Sequence, residues 1–326
     1  MLELIDLRRR YGEVVALDGL TFAVPPGQVF GFLGPNGAGK TTTMRAVFGL
    51  ADLDSGEVRW NGAPVGECER RRFGYMPEER GLYAGMQILD QLVFLGRLHG
   101  LARGPAHEAA MLWTERLGLP DRREDKLESL SLGNQQRVQL AAALVHSPEM
   151  LILDEPFSGL DPVAVDAFSA ILAERAAAGA TVIFSSHQLD LVEHLCEAVA
   201  IVNRGLLVIE GRVEELARSG PQRLAVKVAG DPTGQWARSG LAGVDSVDAG
   251  QDGTVLLTLR PDANARPILD GILDAARGAG GVEHFSFTRR RLSEVFREAV
   301  GPAGTPPEMQ GSAGPPSPAR IGVGQP

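Results

Sequence analysis

Short apolar runs alternate with longer stretches of helical periodicity from residue 1 to about residue 220. This alternation is typical of a layered α/β domain. The run Val29–Leu33 is strand-like and ends at a glycine-rich turn. Met150–Leu153 and Thr181–Phe184 are apolar at every position or nearly so, as strands buried on both faces are. The pattern therefore predicts an α/β core built on a buried sheet.

A different pattern extends from residue 87 to about residue 126, where strand-like runs are missing. Apolar residues recur there at helical spacing, beginning with Ile88 and Leu92. A further helix is predicted from Gly133 to about His146. We therefore expect a helical subdomain, at about residues 87–146, inserted in the α/β core.

Beyond about residue 220 the chain mixes strand-like runs with two helical patterns. The strand candidates are Leu224–Val228, Val255–Leu259 and Val282–Phe287, and the helix candidates are Ala263–Arg277 and Leu292–Val300. Together they predict a small α+β domain over residues 223–300. Residues 301–326 are rich in Gly and Pro and poor in large apolar side chains, so we expect a disordered tail.

The composition of the 326-residue chain is that of a folded protein, with 44% hydrophobic and 22% charged residues. A net charge of -9 argues against general nucleic-acid binding, so no nucleic-acid partner is expected. We find no signal peptide and no uninterrupted run of about 18 apolar residues, so a membrane role would depend on a partner. Cys68 and Cys196 stand in no paired motif and are expected to be small buried side chains in a reducing compartment.

A glycine-rich segment follows the first predicted strand and opens a helix from Lys40 to about Gly49. It fits the P-loop pattern, whose glycines let successive backbone N–H groups point inward as a cradle for phosphates. Lys40 can reach the phosphates, and the Thr41 hydroxyl can ligate Mg²⁺. The predicted ATP-binding residues of this segment are Gly34, Pro35, Asn36, Gly37, Ala38, Gly39, Lys40, Thr41 and Thr42. A glycine-rich loop without nucleotide is the alternative.

Two acids, Asp154 and Glu155, end the apolar run Leu151–Leu153. An acid at the end of a buried strand is costly unless it has a metal ion or another partner. Beside a P-loop this is the Walker B pattern: Asp154 is the predicted metal ligand, holding Mg²⁺ and its waters. Glu155 is the predicted catalytic residue that orients or deprotonates the attacking water. A solvated turn is the alternative for this pair.

The segment Leu130–Arg137 resembles the signature motif of ABC ATPases, usually written LSGGQ, and the resemblance extends over residues 1 to about 215. Ser131 and Gly133 stand at matching positions, whereas Leu132 and Asn134 depart from the commonest form. A small polar run at the start of a helix is an anion site. In the family this site receives the γ-phosphate of ATP bound to the opposite subunit, which makes Ser131, Gly133 and Asn134 nucleotide contacts. A plain helix cap is the alternative.

Further positions follow from the resemblance alone. Tyr11 matches the aromatic residue that stacks on adenine, with a half-buried strand tyrosine as the alternative. Ser158–Asp161 resembles the D-loop of the dimer contact, and His187 resembles the switch histidine that contacts the γ-phosphate. Glu78 occupies the place where the family normally carries the Q-loop glutamine, and it is expected to reach Mg²⁺ or its water. A solvated loop acid is the alternative for Glu78.

The strings Pro77–Tyr83 and Gly133–Gln136 are similar to a bacterial subgroup related to sodium-efflux ATPase subunits, which carries a small carboxyl-terminal domain. The family implies a P-loop NTPase core of ABC type that binds ATP and Mg²⁺ and pairs with a second ATPase subunit. It further implies a transmembrane permease partner, contacted around Tyr75 to His99, and a peripheral location on the cytoplasmic face of the membrane. Export is the expected direction.

Non-transport ABC ATPases are the alternative function, acting on ribosomes or on DNA. Ribosome-associated members carry two nucleotide domains in one chain, whereas this sequence has one. DNA-associated members separate the P-loop from the signature by a long heptad coil, and no such coil occurs here. A regulatory nucleotide binder without turnover would be expected to lack Glu155. Three arginine clusters, at residues 8–10, 70–72 and 289–291, are interpreted as solvated faces or subunit contacts.

Overall fold

The computed structural model of the chain describes residues 1–79, 81–231, 233, 235–237, 241–250, 253–260 and 265–301, without the side chains of 265–267. The tail predicted over 301–326 lies outside these ranges except for Gly301, as do the first two residues of the helix predicted at 263–277.

The secondary structure alternates strands and helices along most of the described chain. The strands are β1 (Leu2–Tyr11), β2 (Val14–Val24), β3 (Val29–Leu33), β4 (Ser55–Trp60), β5 (Ala63–Pro64), β6 (Phe73–Met76), β7 (Met150–Leu153), β8 (Thr181–Ser185), β9 (Ala198–Asn203), β10 (Leu206–Arg212), β11 (Arg223–Val228), β12 (Val244–Ala249), β13 (Thr254–Leu259) and β14 (Val282–Thr288). The helices are α1 (Lys40–Val47), α2 (Glu67–Arg70), α3 (Ile88–Leu98), α4 (Arg103–Arg116), α5 (Leu132–Leu144), α6 (Pro162–Ala177), α7 (Leu189–Leu195), α8 (Val213–Arg218), α9 (Ala265–Ala279) and α10 (Leu292–Val300). Short 3₁₀ turns occupy Pro120–Arg122, Leu127–Ser129 and Gln235–Ala237.

The central sheet has the strand order β10-β9-β3-β8-β7-β6. Its strands run parallel from β9 to β6, and only β10 is antiparallel to its neighbour. Strands β3, β7 and β8 are buried along their whole length, which confirms the predicted buried strands. Alternate residues of β3 enter two different cores: Val29 and Leu33 face the helices, while Phe30 and Phe32 face a second sheet.

That second sheet is antiparallel, in the order β2-β1-β4-β5. Phe22 of β2 stacks on Phe30 and Phe32 of the central sheet, with ring centroids 5.9 Å and 5.3 Å apart. The two sheets therefore share one apolar layer. The layer supports the turn at which β3 ends, where the predicted P-loop begins.

The helical subdomain consists of α3, α4 and α5, as the helical spacing predicts. Ile88, Leu92, Ala110 and Trp113 pack with Leu140 in the cluster that also covers β3, β7 and β8. Helix α5 begins at Leu132 because Ser131 accepts a hydrogen bond from the Asn134 N–H and so caps it. The helix therefore starts one residue before the predicted Gly133.

The carboxyl-terminal elements form an antiparallel sheet of order β12-β13-β11-β14, with α9 packed on it. Leu224, Val226, Leu257 and Ile272 belong to its separate core. The strand and helix predictions at 224–228, 255–259 and 282–287, and the described part of 263–277, are confirmed. Strand β12 is missed because Asp and Ser interrupt its apolar residues and its residues are mostly exposed.

Helix α10 departs from the predicted grouping of elements. It forms as predicted, but Leu292, Val295 and Ala299 are buried in the cluster around the central sheet and not in the carboxyl-terminal core. The helix packs against α7 and α8, and the Leu292 N–H donates to Glu193 Oε2 of α7 at 3.1 Å. Its apolar face packs there because the chain returns from β14 across α7. The domain division at 220–223 stays a prediction.

Several exposed charged side chains form ion pairs on the surface. The arginine clusters are partly paired with acids: Arg8 with Asp6 and Asp18, and Arg72 with Glu149. Cys196 is buried as expected, but Cys68 is exposed because α2 lies on the surface. Within the described residues, no helix combines the length and apolarity needed to cross a membrane.

Candidate active site

The loop between β3 and α1 is closed by hydrogen bonds from its own residues. The Lys40 ammonium donates to the carbonyl oxygens of Gly34 at 2.8 Å and Pro35 at 3.3 Å. Gly39 has φ of 103°, and a Cβ there would lie 2.5 Å from the carbonyl oxygen of Ala16 in β2. Only glycine meets both conditions, since other residues rarely adopt this φ and have no space for the side chain. The loop is therefore held directly against β2.

Asp154 ends β7 beside this loop and is almost completely buried, with 1% of its surface exposed. The Thr41 hydroxyl donates to Asp154 Oδ2 at 2.8 Å, and the Ser185 hydroxyl donates to Oδ1 at 2.6 Å. Burial lowers the pKa of the Lys40 ammonium, while the carboxylates of Glu155, Asp154 and Glu78 act in the opposite direction. One lysine and three acids thus share a single electrostatic environment.

Glu155 adopts a left-handed backbone conformation, with φ of 51°. Such a φ is uncommon for a residue other than glycine and persists where the surroundings hold it. Here the Glu155 N–H donates to Ser185 Oγ at 2.9 Å. The Glu155 carboxylate oxygen Oε2 lies 2.9 Å from His187 Nδ1, at the end of β8. The strand ends therefore bring the two predicted catalytic residues into contact.

One cleft of about 460 Å³ collects most of the predicted nucleotide and metal contacts. The predicted residues lining it are Tyr11, Asn36, Gly37, Gly39, Lys40, Thr41, Thr42, Glu78, Asp154 and Glu155. Gly34, Pro35 and Ala38 belong to the same turn, in which the Ala38 N–H donates to the Pro35 carbonyl at 3.1 Å. Tyr11 stands at the exposed rim, and the Arg9 guanidinium covers its ring at 4.7 Å. An aromatic ring, an ammonium and three carboxylates thus surround a space open to solvent.

Known proteins match both the sequence and the fold of this chain. The family model described as ABC transporter matches residues 17–158. The uncharacterized ABC transporter ATP-binding protein YhaQ of Bacillus subtilis is 38% identical over 301 residues, covering 92% of this chain and 99% of the relative. This decides the family. The chain belongs to the ABC transporters, as their ATP-binding subunit.

A second relative and a solved structure support the same family assignment. The Nod factor export ATP-binding protein I of Cupriavidus metallidurans is 32% identical over 304 residues, covering 92% of this chain and 97% of the relative. A solved ATP-binding subunit of an ABC transporter superposes with a TM-score of 0.62 at 30% identity, covering 66% of this chain and 91% of that one. The ABC subunit has the predicted P-loop α/β fold and is an ATPase that hydrolyses ATP in a transporter.

The signature segment of this ABC subunit lies apart from the cleft. Ser131, Gly133 and Asn134 are not among the residues that line the cleft. A Cβ on Gly133 would meet the Gly159 carbonyl oxygen at 3.6 Å, so the segment borders the D-loop. The Ser131 hydroxyl accepts from the Asn134 N–H at a long 3.4 Å, and Leu132 is exposed beside it. The predicted nucleotide contacts therefore divide between two surfaces of the ABC subunit.

Two residues that contact the Walker B pair are not among the site residues predicted from the motifs. Ser185 bonds both acids of the Walker B pair, and its only sequence signal is a hydroxyl at the end of a buried strand. The Gln136 amide donates to the carbonyl oxygens of Glu155 at 3.3 Å and Pro156 at 3.0 Å. The signature helix α5 is therefore tied to the backbone of the predicted catalytic acid.

The Q-loop position of the ABC subunit joins the cleft to the helical subdomain. Glu78 lines the cleft just beyond β6, and the Asp154 N–H donates to the Met76 carbonyl oxygen at 2.8 Å. The Gln139 amide of α5 donates to the Pro77 carbonyl oxygen at 3.3 Å. Movement of α5 would therefore be transmitted through this hydrogen bond to Pro77, the residue before Glu78.

Proposed function

We propose that two copies of this subunit close on ATP, each nucleotide being held between the cleft of one copy and the Ser131–Asn134 segment of the other. The observation that carries the proposal is the separation of that segment from the cleft of its own chain. Subunits of this family dimerise and work with membrane permeases. A two-fold pair brings each cleft opposite the other copy's segment.

The amino terminus of α5 suits the second half of such a site. The helix has 13 residues, and its first N–H groups provide the positive end of a helix dipole. Glycine at position 133 leaves the backbone accessible, and Ser131 and Asn134 add polar side chains. An anionic γ-phosphate would be stabilised there without a basic side chain.

The chemistry assigned to the cleft is hydrolysis at the γ-phosphate. Glu155 would orient or deprotonate the attacking water, and His187, in contact with it, would hold the γ-phosphate. Lys40 would neutralise phosphate charge, and Tyr11 would stack on the adenine. These roles rest on the distances above and on the family resemblance.

The residues of the cleft also fit Mg²⁺. This ion prefers oxygen ligands, and it is usually held by one or two carboxylates together with substrate phosphates and water. Asp154 and the Thr41 hydroxyl, 2.8 Å apart, supply such oxygens, and Glu78 is in reach of the same cleft. When bound, Mg²⁺ would neutralise phosphate charge. Within the described ranges no group of three or more His, Cys, Asp or Glu side chains is arranged to hold a metal ion, so we assign no metal site independent of nucleotide.

The membrane partner is expected at a groove between the central sheet and the helical subdomain. The groove measures about 270 Å³, and its lining includes Phe48, Tyr75, Leu95, His99 and His146. Leu98 and Tyr83 are exposed nearby. An apolar groove with exposed apolar rims suits a segment of a permease, and it coincides with the contact region predicted at 75–99. The ATPase subunit would then be peripheral on the cytoplasmic face of the membrane.

Export is the proposed direction of transport. The name of the Cupriavidus relative includes export, and its similarity extends over 92% of this chain. The resemblance to sodium-efflux subunits, with their small carboxyl-terminal domain, points the same way. The cargo is selected by the permease, so the sequence of this subunit does not identify it.

Mixing two inactive variants tests the shared site. Lys40→Ala removes the proposed phosphate contact of the cleft, and Gly133→Asp places a carboxylate at the signature, where an added Cβ meets no atom closer than 3.6 Å. Each variant alone should hydrolyse little ATP. Their mixture should regain activity, because mixed pairs contain one intact cleft facing one intact signature.

Gly133→Ala is the matched control, because it adds the same Cβ without charge and should keep activity. A mixture no more active than its two components would contradict the shared site. A wild-type rate per molecule that stays constant at every dilution, with no pairing detected, would contradict it as well.

A further inference from the structure

A second polar cleft lies where the carboxyl-terminal sheet meets the catalytic core. It measures about 320 Å³ and is formed by the link from α8 to β11 and the link from β14 to α10. It shares no lining residue with the ATP cleft. Four of its lining residues are arginines: Arg218, Arg223, Arg289 and Arg290.

Buried hydrogen-bond donors in this cleft lack partners. The Arg290 side chain is only 10% exposed, and its Nε has no hydrogen-bond partner. Arg223 Nε and Thr288 Oγ1 are also buried and unpartnered. Leaving a buried donor unsatisfied is unfavourable, so three of them around one cleft indicate a missing acceptor.

The charge of the cleft favours an anion. Its lining contains no Asp or Glu, although the whole chain has a net charge of -9. Arg223 and Arg290 each pair with an acid of α10, Glu294 and Glu298, which holds the two guanidinium groups in place. Arg289 has no ion pair among the described residues, and Arg218 has only an exposed contact with Glu214 at 3.8 Å. Two positive charges therefore remain available.

We propose that this cleft binds a phosphate monoester group. A guanidinium presents Nε–H and Nη–H in a planar fork that matches two oxygens of a phosphate, and a phosphate offers three acceptor oxygens. Arg290 supplies its unpartnered Nε–H and Thr288 supplies a hydroxyl, while Arg218 and Arg289 supply the guanidinium forks and the outer charge. The exposed ring of Phe287 gives the organic part of the ligand an apolar contact.

The test measures binding of radiolabelled inorganic phosphate by equilibrium dialysis to the full chain carrying Lys40→Ala, which weakens binding in the ATP cleft. Adding Arg218→Gln and Arg289→Gln should weaken phosphate binding about tenfold or more. Both side chains are exposed, so the folded state should persist. Arg277→Gln, an exposed arginine on α9 outside the cleft, is the matched control and should leave binding unchanged.

A parallel arm distinguishes a soluble ligand from a lipid headgroup. The same variants are sedimented with phosphatidylcholine vesicles with and without phosphatidic acid. Binding in either arm that Arg218→Gln and Arg289→Gln together weaken about tenfold or more, while Arg277→Gln leaves it intact, supports the proposal. Absence of binding in both arms, or binding that the double substitution leaves unaltered, overturns it.

Discussion

His187 Nδ1 lies 2.9 Å from Glu155 Oε2, although the two side chains differ greatly in burial. The Glu155 side chain is 14% exposed and the His187 side chain is 71% exposed. The acid is therefore enclosed by its surroundings, while most of the histidine side chain is accessible to solvent or a ligand. This arrangement suits an enclosed base beside an accessible contact to the γ-phosphate.

Replacing Glu155 by Gln removes the proposed base while keeping the size of the side chain. Turnover should fall by about 10²-fold or more, because general-base catalysis contributes at least that much. ATP affinity should not fall, since the phosphate contacts of Lys40 and the P-loop persist and one negative charge is removed from the cleft. Steady-state hydrolysis and equilibrium ATP binding measure the two quantities, and gel filtration with ATP should show a trapped dimer.

Glu149→Gln is the control for this substitution, because Glu149 is a half-exposed acid that pairs with Arg72 away from the cleft. It should hydrolyse ATP at the wild-type rate. Normal turnover in the Glu155 variant would remove that residue from the mechanism.

Glu78 adds a negative charge to the cleft that binds a polyanion. Glu78→Gln should strengthen ATP binding without Mg²⁺ about fivefold, since one unit of repulsion close to the phosphates is removed. With Mg²⁺ present the gain should shrink, because the ion offsets the same charge. Calorimetric titration of both variants at two Mg²⁺ concentrations measures the effect.

Glu79→Gln is the matched control, since Glu79 is exposed next to Glu78 but does not line the cleft. Equal changes in both variants would mean that Glu78 acts only through the net charge of the chain.

Helix α10 should stabilise the catalytic core from the far end of the chain. Leu292→Ala should lower the free energy of unfolding of the core by about 2–5 kcal/mol, because a buried leucine is truncated in a shared cluster. The exposed Arg297→Ala on the same helix should cost less than about 0.5 kcal/mol. Denaturant unfolding, monitored through the loss of ATP binding, compares the free energies of unfolding of the two variants. Equal effects of the two substitutions would contradict the placement of Leu292 in the core around the central sheet.

The stacked histidines of the proposed permease groove predict an acid-sensitive fold. The His146 ring lies against His99 with centroids 3.6 Å apart, and its Nε2 donates to the Phe73 carbonyl oxygen at 3.1 Å. Burial, followed by the charges of His99 and Arg175, lowers the pKa of His146 from 6.5 to about 4. The folded chain therefore binds fewer protons than the unfolded chain between these two values. The contribution of neutral His146 to the free energy of unfolding is complete above pH 6.5. It is lost progressively as the pH falls from 6.5 through about 4.

Stability should fall by about 2 kcal/mol between pH 7 and pH 5 on account of His146 alone. His146→Gln keeps a donor for the Phe73 carbonyl and should remove most of this loss. His107→Gln, on the exposed face of α4, should keep the wild-type pH dependence. Urea unfolding at the two pH values provides the comparison, and an unchanged slope in the His146 variant would contradict the assignment.

Much of the fold could be predicted because its signals are local. The apolar runs of β3, β7 and β8 and the helical spacing of α3 need only the neighbouring residues to be recognised. The P-loop is equally local, since its glycine spacing, lysine and flanking strand and helix all lie within one segment. The predicted cleft residues from Asn36 to Thr42 accordingly lie together with Asp154 and Glu155.

Contacts between distant segments were decided by the tertiary structure alone. Ser185 stands 30 residues from Glu155 in the chain, and only the adjacency of β7 and β8 brings its hydroxyl to both acids. Helix α10 carries an apolar face in its sequence, but only the path of the chain determines that Glu193 and α7 receive it. Periodicity specifies that a face must be buried, whereas the partner depends on which elements the folded chain brings together. The sequence alone therefore determined the elements and the phosphate loop, and tertiary packing decided how the acids are oriented and which core holds the last helix.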